Sequence, residues 1–230
     1  MPGAVRTGKS RQVAEDREVE WVVFDLGETL VDETENWGRW ADYLGVPRLT
    51  FFALLGSVIA DRRPHVDVFG YFHPDFNLET EVVAKLAAGY PWTFDRSDLY
   101  PDALPALQAL KTAGYRLAII GNQTSSASAF MTTLPVERTA TSDEWGVAKP
   151  DPAFFARMEE ELATPAAHIA YVGDRVDNDV LPARQAGMVA VHLRRGPWGI
   201  IHSGWAEAAE AHIRLDSLSE LESALVAFRG

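Results

Sequence analysis

Cysteine is absent from this chain of 230 residues, which rules out disulfide bridges, thiolate nucleophiles and zinc–sulfur sites and agrees with a reducing compartment. Basic residues are scarce beside acidic ones: 21 Lys and Arg stand against 33 Asp and Glu, for a formal charge of −12. Nucleic acids and anionic membrane surfaces are recognised by basic clusters. Here the only basic doublets of note are Arg62–Arg63 and Arg194–Arg195, which read as solvated surface side chains. No apolar run reaches the roughly 18 residues that a bilayer span needs. The opening segment MPGAVRTGKSRQVAEDREVE carries charges but no apolar stretch of a secretion signal. The six histidines share no H-x-x-x-H spacing and read as structural. Together these absences predict a cytoplasmic protein with neither a nucleic-acid nor a membrane partner, preceded by a flexible tail over residues 1–19.

What the chain does have is core material. A hydrophobic content of 47% over 230 residues suffices for one domain with an insertion or for two small domains. The run WVVFDL is short, apolar and β-branched and ends at an acid, so it reads as a buried strand with Asp25 at its carboxyl end. From Asp32 the pattern turns helical. Asp32 with Glu35 resembles a capping box, and Trp37, Trp40 and Leu44 share one helix face. Helical stretches after Thr50 and over LETEVVAKLAAG follow, so residues 32–99 form a helical insert whose aromatic stripes read as packing surface.

Beyond the insert, short apolar strands alternate with amphipathic helices: YRLAII, a weak strand at 138–141, HIAYVGD and VAVHL, with helices between them and a last helix capped by Asp216 or Ser217 with Glu220. This order predicts an α/β fold, a doubly wound, Rossmann-like and mainly parallel sheet over residues 20–31 and 100–230, with the helical insert as a second unit. Ligands of such sheets bind at the carboxyl ends of the strands.

Candidate chemistry falls at those ends. FDLGETL at 24–30, IIGNQ at 119–123, GVAKPDP at 146–152 and YVGDRVDND at 171–179 each close a strand or an adjoining loop with acids, a lysine, or glycine and asparagine. Carboxylates at adjacent strand tips repel one another unless a cation lies between them, so Asp25 and Asp174 suggest a hard divalent ion. Magnesium is the first choice, because it takes few protein carboxylates and leaves positions for water and phosphate oxygens. Asp177 and Asn178 read as the start of a helix.

These four segments, in this order, resemble the haloacid dehalogenase superfamily, most of whose members are phosphatases with an aspartate nucleophile, over about residues 20–228. The resemblance implies that Asp25 attacks phosphorus and becomes an aspartyl phosphate, and that Lys149 neutralises nucleophile and phosphoryl group. It further implies that magnesium is held by Asp25, by Asp174 and by the backbone carbonyl of Gly27, with Asp179 supporting its water shell, and that the insert is the family's small α-helical cap. The expected substrate is a small phosphorylated metabolite; the oligomeric state is left open between monomer and homodimer.

Two positions depart from the family pattern. Where it carries a second Asp, two residues after the nucleophile, to protonate the leaving oxygen and activate water, this chain has Gly27. Glu28 is adjacent, but a strand-like segment would turn its side chain the other way. Where the family has a Ser or Thr that binds phosphate, this chain has Gly121, so the backbone N–H groups of Gly121 and Asn122 and the Asn122 amide become the candidate phosphate donors beside Lys149. The departures keep open a non-hydrolytic descendant that binds a phosphorylated ligand or a partner protein. A carbon–halogen hydrolase also lacks the second Asp, but such members do not use magnesium and the Gly173–Asp174 pair has the phosphatase form.

Overall fold

The computed structural model describes residues 19–228. The expected tail therefore lies outside the described residues except for Val19, which is buried. Six parallel strands form one sheet: β1 (Trp21–Phe24), β2 (Arg116–Gly121), β3 (Arg138–Thr141), β4 (Ile169–Gly173), β5 (Val189–Leu193) and β6 (Ile213–Leu215), in the spatial order β3-β2-β1-β4-β5-β6. The order reverses direction between β1 and β4, where Phe24 pairs with Val172. Connections leave those two strand tips in opposite senses, which opens a crevice at their carboxyl ends.

Alternation along each strand explains why the sequence reads as unbroken apolar runs. Val22 and Phe24 of β1 belong to the cluster containing Leu107 and Leu110, whereas Trp21 and Val23 belong to the one containing Phe154, Phe155 and Met158. Both faces are thus covered by helices, and all four β1 residues are buried.

Within the insert that follows β1 run three longer helices, α1 (Thr34–Tyr43), α2 (Arg48–Ala60) and α3 (Leu78–Ala87). With the short turn His65–Tyr71 they build their own core from Trp37, Trp40, Phe51, Leu55 and Phe69, which Trp198 from the sheet side joins. The insert is entered and left through a narrow neck, where Val31 bridges Leu99 and the Asp32 N–H donates to the Asp98 carbonyl at 2.8 Å. No single helix among the described residues is long and apolar enough to cross a membrane.

The remaining principal helices are α4 (Ala103–Thr112), α5 (Pro152–Leu162), α6 (Leu181–Gln185), α7 (Gly196–His202) and α8 (Leu221–Ala227). Asp151 starts α5 by accepting from the Ala153 N–H at 2.9 Å, with Pro152 in the first turn. The Ser217–Glu220 capping box forms as expected.

Three local expectations change. Asp32 and Glu35 form no capping box: Asp32 accepts from the Thr34 N–H at 2.8 Å, Glu35 pairs with Arg48 at 2.8 Å, and Glu33 occupies the cap position without a side-chain capping bond. The stretch after Gln123 makes only two short turns, Ser125–Ala127 and Ser128–Met131, since its serines and threonines bond locally rather than extend a helix. Arg195 is not a solvated side chain: it pairs with Asp102, donates to the Thr29 carbonyl at 2.9 Å and lies 4.2 Å from the Tyr100 ring centroid.

Candidate active site

Asp25 extends β1, its N–H donating to the Val172 carbonyl at 2.9 Å, and Asp174 follows β4 on the neighbouring strand. Adjacent parallel strands therefore deliver the two acids side by side into the crevice. Lys149 arrives on the loop after β3, whose backbone is gripped by the Asn122 carboxamide: Nδ2 donates to the Lys149 carbonyl at 2.9 Å and Oδ1 accepts from the Lys149 N–H at 2.8 Å. Asp179 comes from the turn Val176–Val180, its Oδ2 accepting from the Arg175 N–H at 2.9 Å.

These side chains meet. Lys149 Nζ lies 2.9 Å from Asp25 Oδ1 and 2.6 Å from Asp179 Oδ1, with both partners of the shorter pair almost wholly enclosed. Ligand oxygens of Asp25, Asp174 and Asp179 lie within 4.8 Å of one another. Burial opposes the Lys149 charge, but the carboxylates of Asp179 and Asp25 outweigh it and hold the ammonium well above its ordinary pKa. Asp174 is pushed the other way for a carboxyl, upward, by burial and then by the charges of Asp179 and Asp25. Its Oδ2 is buried with no hydrogen-bond partner.

That orphaned oxygen is the observation against which a cation can be tested. Three carboxylates face one ammonium, so the cluster carries two uncompensated negative charges when all are ionised, and a buried acceptor stands unused among them. A small hard dication with oxygen ligands fits that donor set.

The two departures in sequence have spatial explanations. A Cβ built on Gly121 would collide with Asp25 Oδ1, so the absent side chain gives room for the acid to lean toward Lys149. A Cβ built on Gly27 would lie 2.6 Å from Cδ of Glu33, and closer still to its Oε1. The Glu33 carboxyl thus fills the space that a side chain at position 27 would take. Trp37 Nε1 fixes it by donating to Oε2 at 3.2 Å. Burial foremost, then the charges of Glu28 and Asp25, push Glu33 up to about 8. Sequence reasoning missed this residue, for which the only signal was an acid shortly after a turn.

Glu28 is committed elsewhere. Its Oε2 accepts from the Tyr100 hydroxyl at 2.6 Å and its Oε1 from the Glu33 N–H at 3.0 Å, with φ at 51°. The Asn122 carboxamide is likewise engaged with Lys149, which leaves the backbone as that residue's other donor.

Over the acids opens a cavity of about 930 Å³. Its insert-side wall includes Trp37, Trp40, Phe69 and Trp92, with Trp198 opposite. Trp37 meets Trp92 edge to face, centroids 5.4 Å apart at 87°, and Trp198 at 5.8 Å. His65 stands among them, held down to about 4 by burial and by Arg175, and so is neutral at physiological pH.

A profile of the haloacid dehalogenase-like hydrolases matches residues 19–187. Among curated proteins, the chain is similar to the glyceraldehyde 3-phosphate phosphatase of Methanopyrus kandleri, 32% identical over 122 residues, 51% of this chain and 52% of that one. It is also similar to the plasmid phosphoglycolate phosphatase of Cupriavidus necator, 29% identical over 231 residues, 90% of this chain and 94% of that one. The chain spans only about half the length of the first of these relatives. Among solved structures, a haloacid dehalogenase-superfamily hydrolase of Geobacter sulfurreducens shares the fold with a TM-score of 0.63, at 19% identity over 91% of this chain and 98% of that one.

Proposed function

Because the chain belongs to the haloacid dehalogenase-like hydrolases, we propose that it is a magnesium-dependent phosphatase of a small phosphorylated metabolite, acting through an aspartyl phosphate on Asp25. The observation that carries this reading is the Lys149 ammonium held between Asp25 and Asp179, with Asp174 and its unpartnered buried oxygen alongside. Phosphoryl transfer asks for that set: a fixed nucleophile and positive charge where the equatorial oxygens gather.

Magnesium would be held by Asp25, Asp174 and the Gly27 carbonyl, with Asp179 behind them, and when bound it supplies charge neutralisation for the phosphoryl oxygens. The rest is the work of the chain. The Asp25 carboxylate attacks phosphorus, aligned by its contact with Lys149. The backbone N–H groups of Gly121 and Asn122, with Lys149, bind phosphate oxygens. Asp179 keeps Lys149 charged and in place. Residues 32–99 act as the cap that closes over the core formed by residues 20–31 and 100–230, and closure shields the site from bulk water during phosphoryl transfer.

The relatives are named for phosphoglycolate and glyceraldehyde 3-phosphate. A cavity of about 930 Å³ walled by tryptophans accommodates a larger and less polar leaving group as well. The test is phosphate release from p-nitrophenyl phosphate with magnesium, with a chelator, and in Asp25→Asn. Activity that needs both the metal and Asp25 is expected. Stabilisation by phosphate without any turnover would instead make the protein a phosphate-ligand binder.

A further inference from the structure

We propose that Glu33 is the general acid and base of this site, supplying from the start of α1 the carboxyl that Gly27 does not. The inference rests on the phosphatase reading above and deepens it. Its ground is position: the Glu33 carboxyl occupies the space into which a side chain at position 27 would grow, two residues beyond Asp25. It lines the same cavity as Asp25, Lys149 and Asp174. Although Glu33 is the cap residue of α1, its side chain makes no capping bond, so helix structure does not account for its placement. The Trp37 indole holds one carboxyl oxygen at 3.2 Å and so orients the group. Glu28, the other acid in the segment, is held by the Tyr100 hydroxyl and the Glu33 N–H.

The chemistry balances with water as the only co-reactant. In the first step an Asp25 oxygen forms a bond to phosphorus, the bond from phosphorus to the leaving oxygen breaks, and that oxygen takes the Glu33 proton. In the second, the Glu33 carboxylate removes a proton from water as the water oxygen bonds to phosphorus. The bond from phosphorus to Asp25 then breaks, returning Asp25 as a carboxylate and releasing inorganic phosphate. Assistance of this kind contributes about 10²–10⁴ in rate and matters most when the leaving oxygen is strongly basic.

The experiment compares kcat/KM for p-nitrophenyl phosphate and phenyl phosphate, two esters of similar shape whose leaving groups differ in basicity. Wild type, Glu33→Gln and the double variant Gly27→Asp with Glu33→Ala are assayed with magnesium, after thermal melting shows each to be folded. In Glu33→Gln we expect phenyl phosphate to lose about 10²–10³-fold and p-nitrophenyl phosphate less than about tenfold. The p-nitrophenolate trace should show a burst, because hydrolysis of the aspartyl phosphate loses its base. The double variant, with the space above Gly27 vacated for a new carboxyl, should recover phenyl phosphate turnover to within about tenfold of wild type. Equal losses for both esters in Glu33→Gln, or none for either, overturn the inference and leave the phosphatase reading standing. A wild-type protein that turns over neither ester overturns both.

Discussion

The sheet-side wall of the cavity carries Asp25 and Asp174 just past the ends of β1 and β4 and Lys149 on the loop after β3, with Asp179 behind them on the turn Val176–Val180. The insert-side wall is made of helices presenting Trp37, Trp40 and Phe69, held by ring contacts. The first wall concentrates charge in a place where charge is costly; the second is largely apolar. The contrast teaches a division of labour. Strand tips, with a loop and a turn bonded against them, are rigid enough to hold four ionisable groups in register, whereas helices on a narrow neck can shape a pocket and still move. Glu33 sits at the seam, on the insert by sequence and among the acids in space.

The sharpest break of that division is Asp25→Asn, expected to lower turnover of p-nitrophenyl phosphate by at least about 10³-fold, with stability little changed. Next is Lys149→Met, which leaves buried carboxylates without their cation and should cost about 3–5 kcal/mol in urea unfolding.

The seam is tested by pH. With Glu33 raised from 4.5 to about 8, the folded chain keeps a proton that the unfolded chain has released. The stability it contributes is therefore complete below about pH 4.5 and is lost as pH rises to about 8. Melting in chelator should show stability falling across that window and a flatter profile in Glu33→Gln. Asp174 and Asp179, also raised, keep part of the slope in the variant.

On the apolar wall, Trp198→Ala should raise KM for an aryl phosphate about tenfold with a smaller change in kcat, since it removes contact surface and no reacting group. The smallest effect belongs to Arg62→Ala. Its ion pair with Glu207 at 2.9 Å joins insert to sheet domain, but the partners are 51% and 39% exposed, so thermal melting should shift barely measurably.

The charged wall was far more legible in sequence than the seam. Asp25 and Asp174 each end a short apolar run, so their place at neighbouring strand tips follows from the alternation of strands and helices. Lys149 and Asp179 lie in segments whose pattern is local. Three-residue β6 escaped notice because a strand with a charged centre, Arg214, looks like a loop. Glu33 was invisible for another reason. Its approach to Gly27 depends on the tight turn in which Glu28 adopts a positive φ and Val31 bridges back to Gly27. Such a turn folds the chain onto itself without any periodic signature, and the nearby Asp32 and Glu35 gave a more familiar but incorrect reading of the helix start.

Four of the seven tryptophans, Trp37, Trp40, Trp92 and Trp198, line this one cavity. Indole emission depends on nearby dipoles and solvent, and Trp37 touches the Glu33 carboxyl directly. The protein accordingly carries a built-in optical reporter: a ligand that displaces water there must alter its ultraviolet fluorescence, so candidate metabolites can be ranked by titration before any product is assayed.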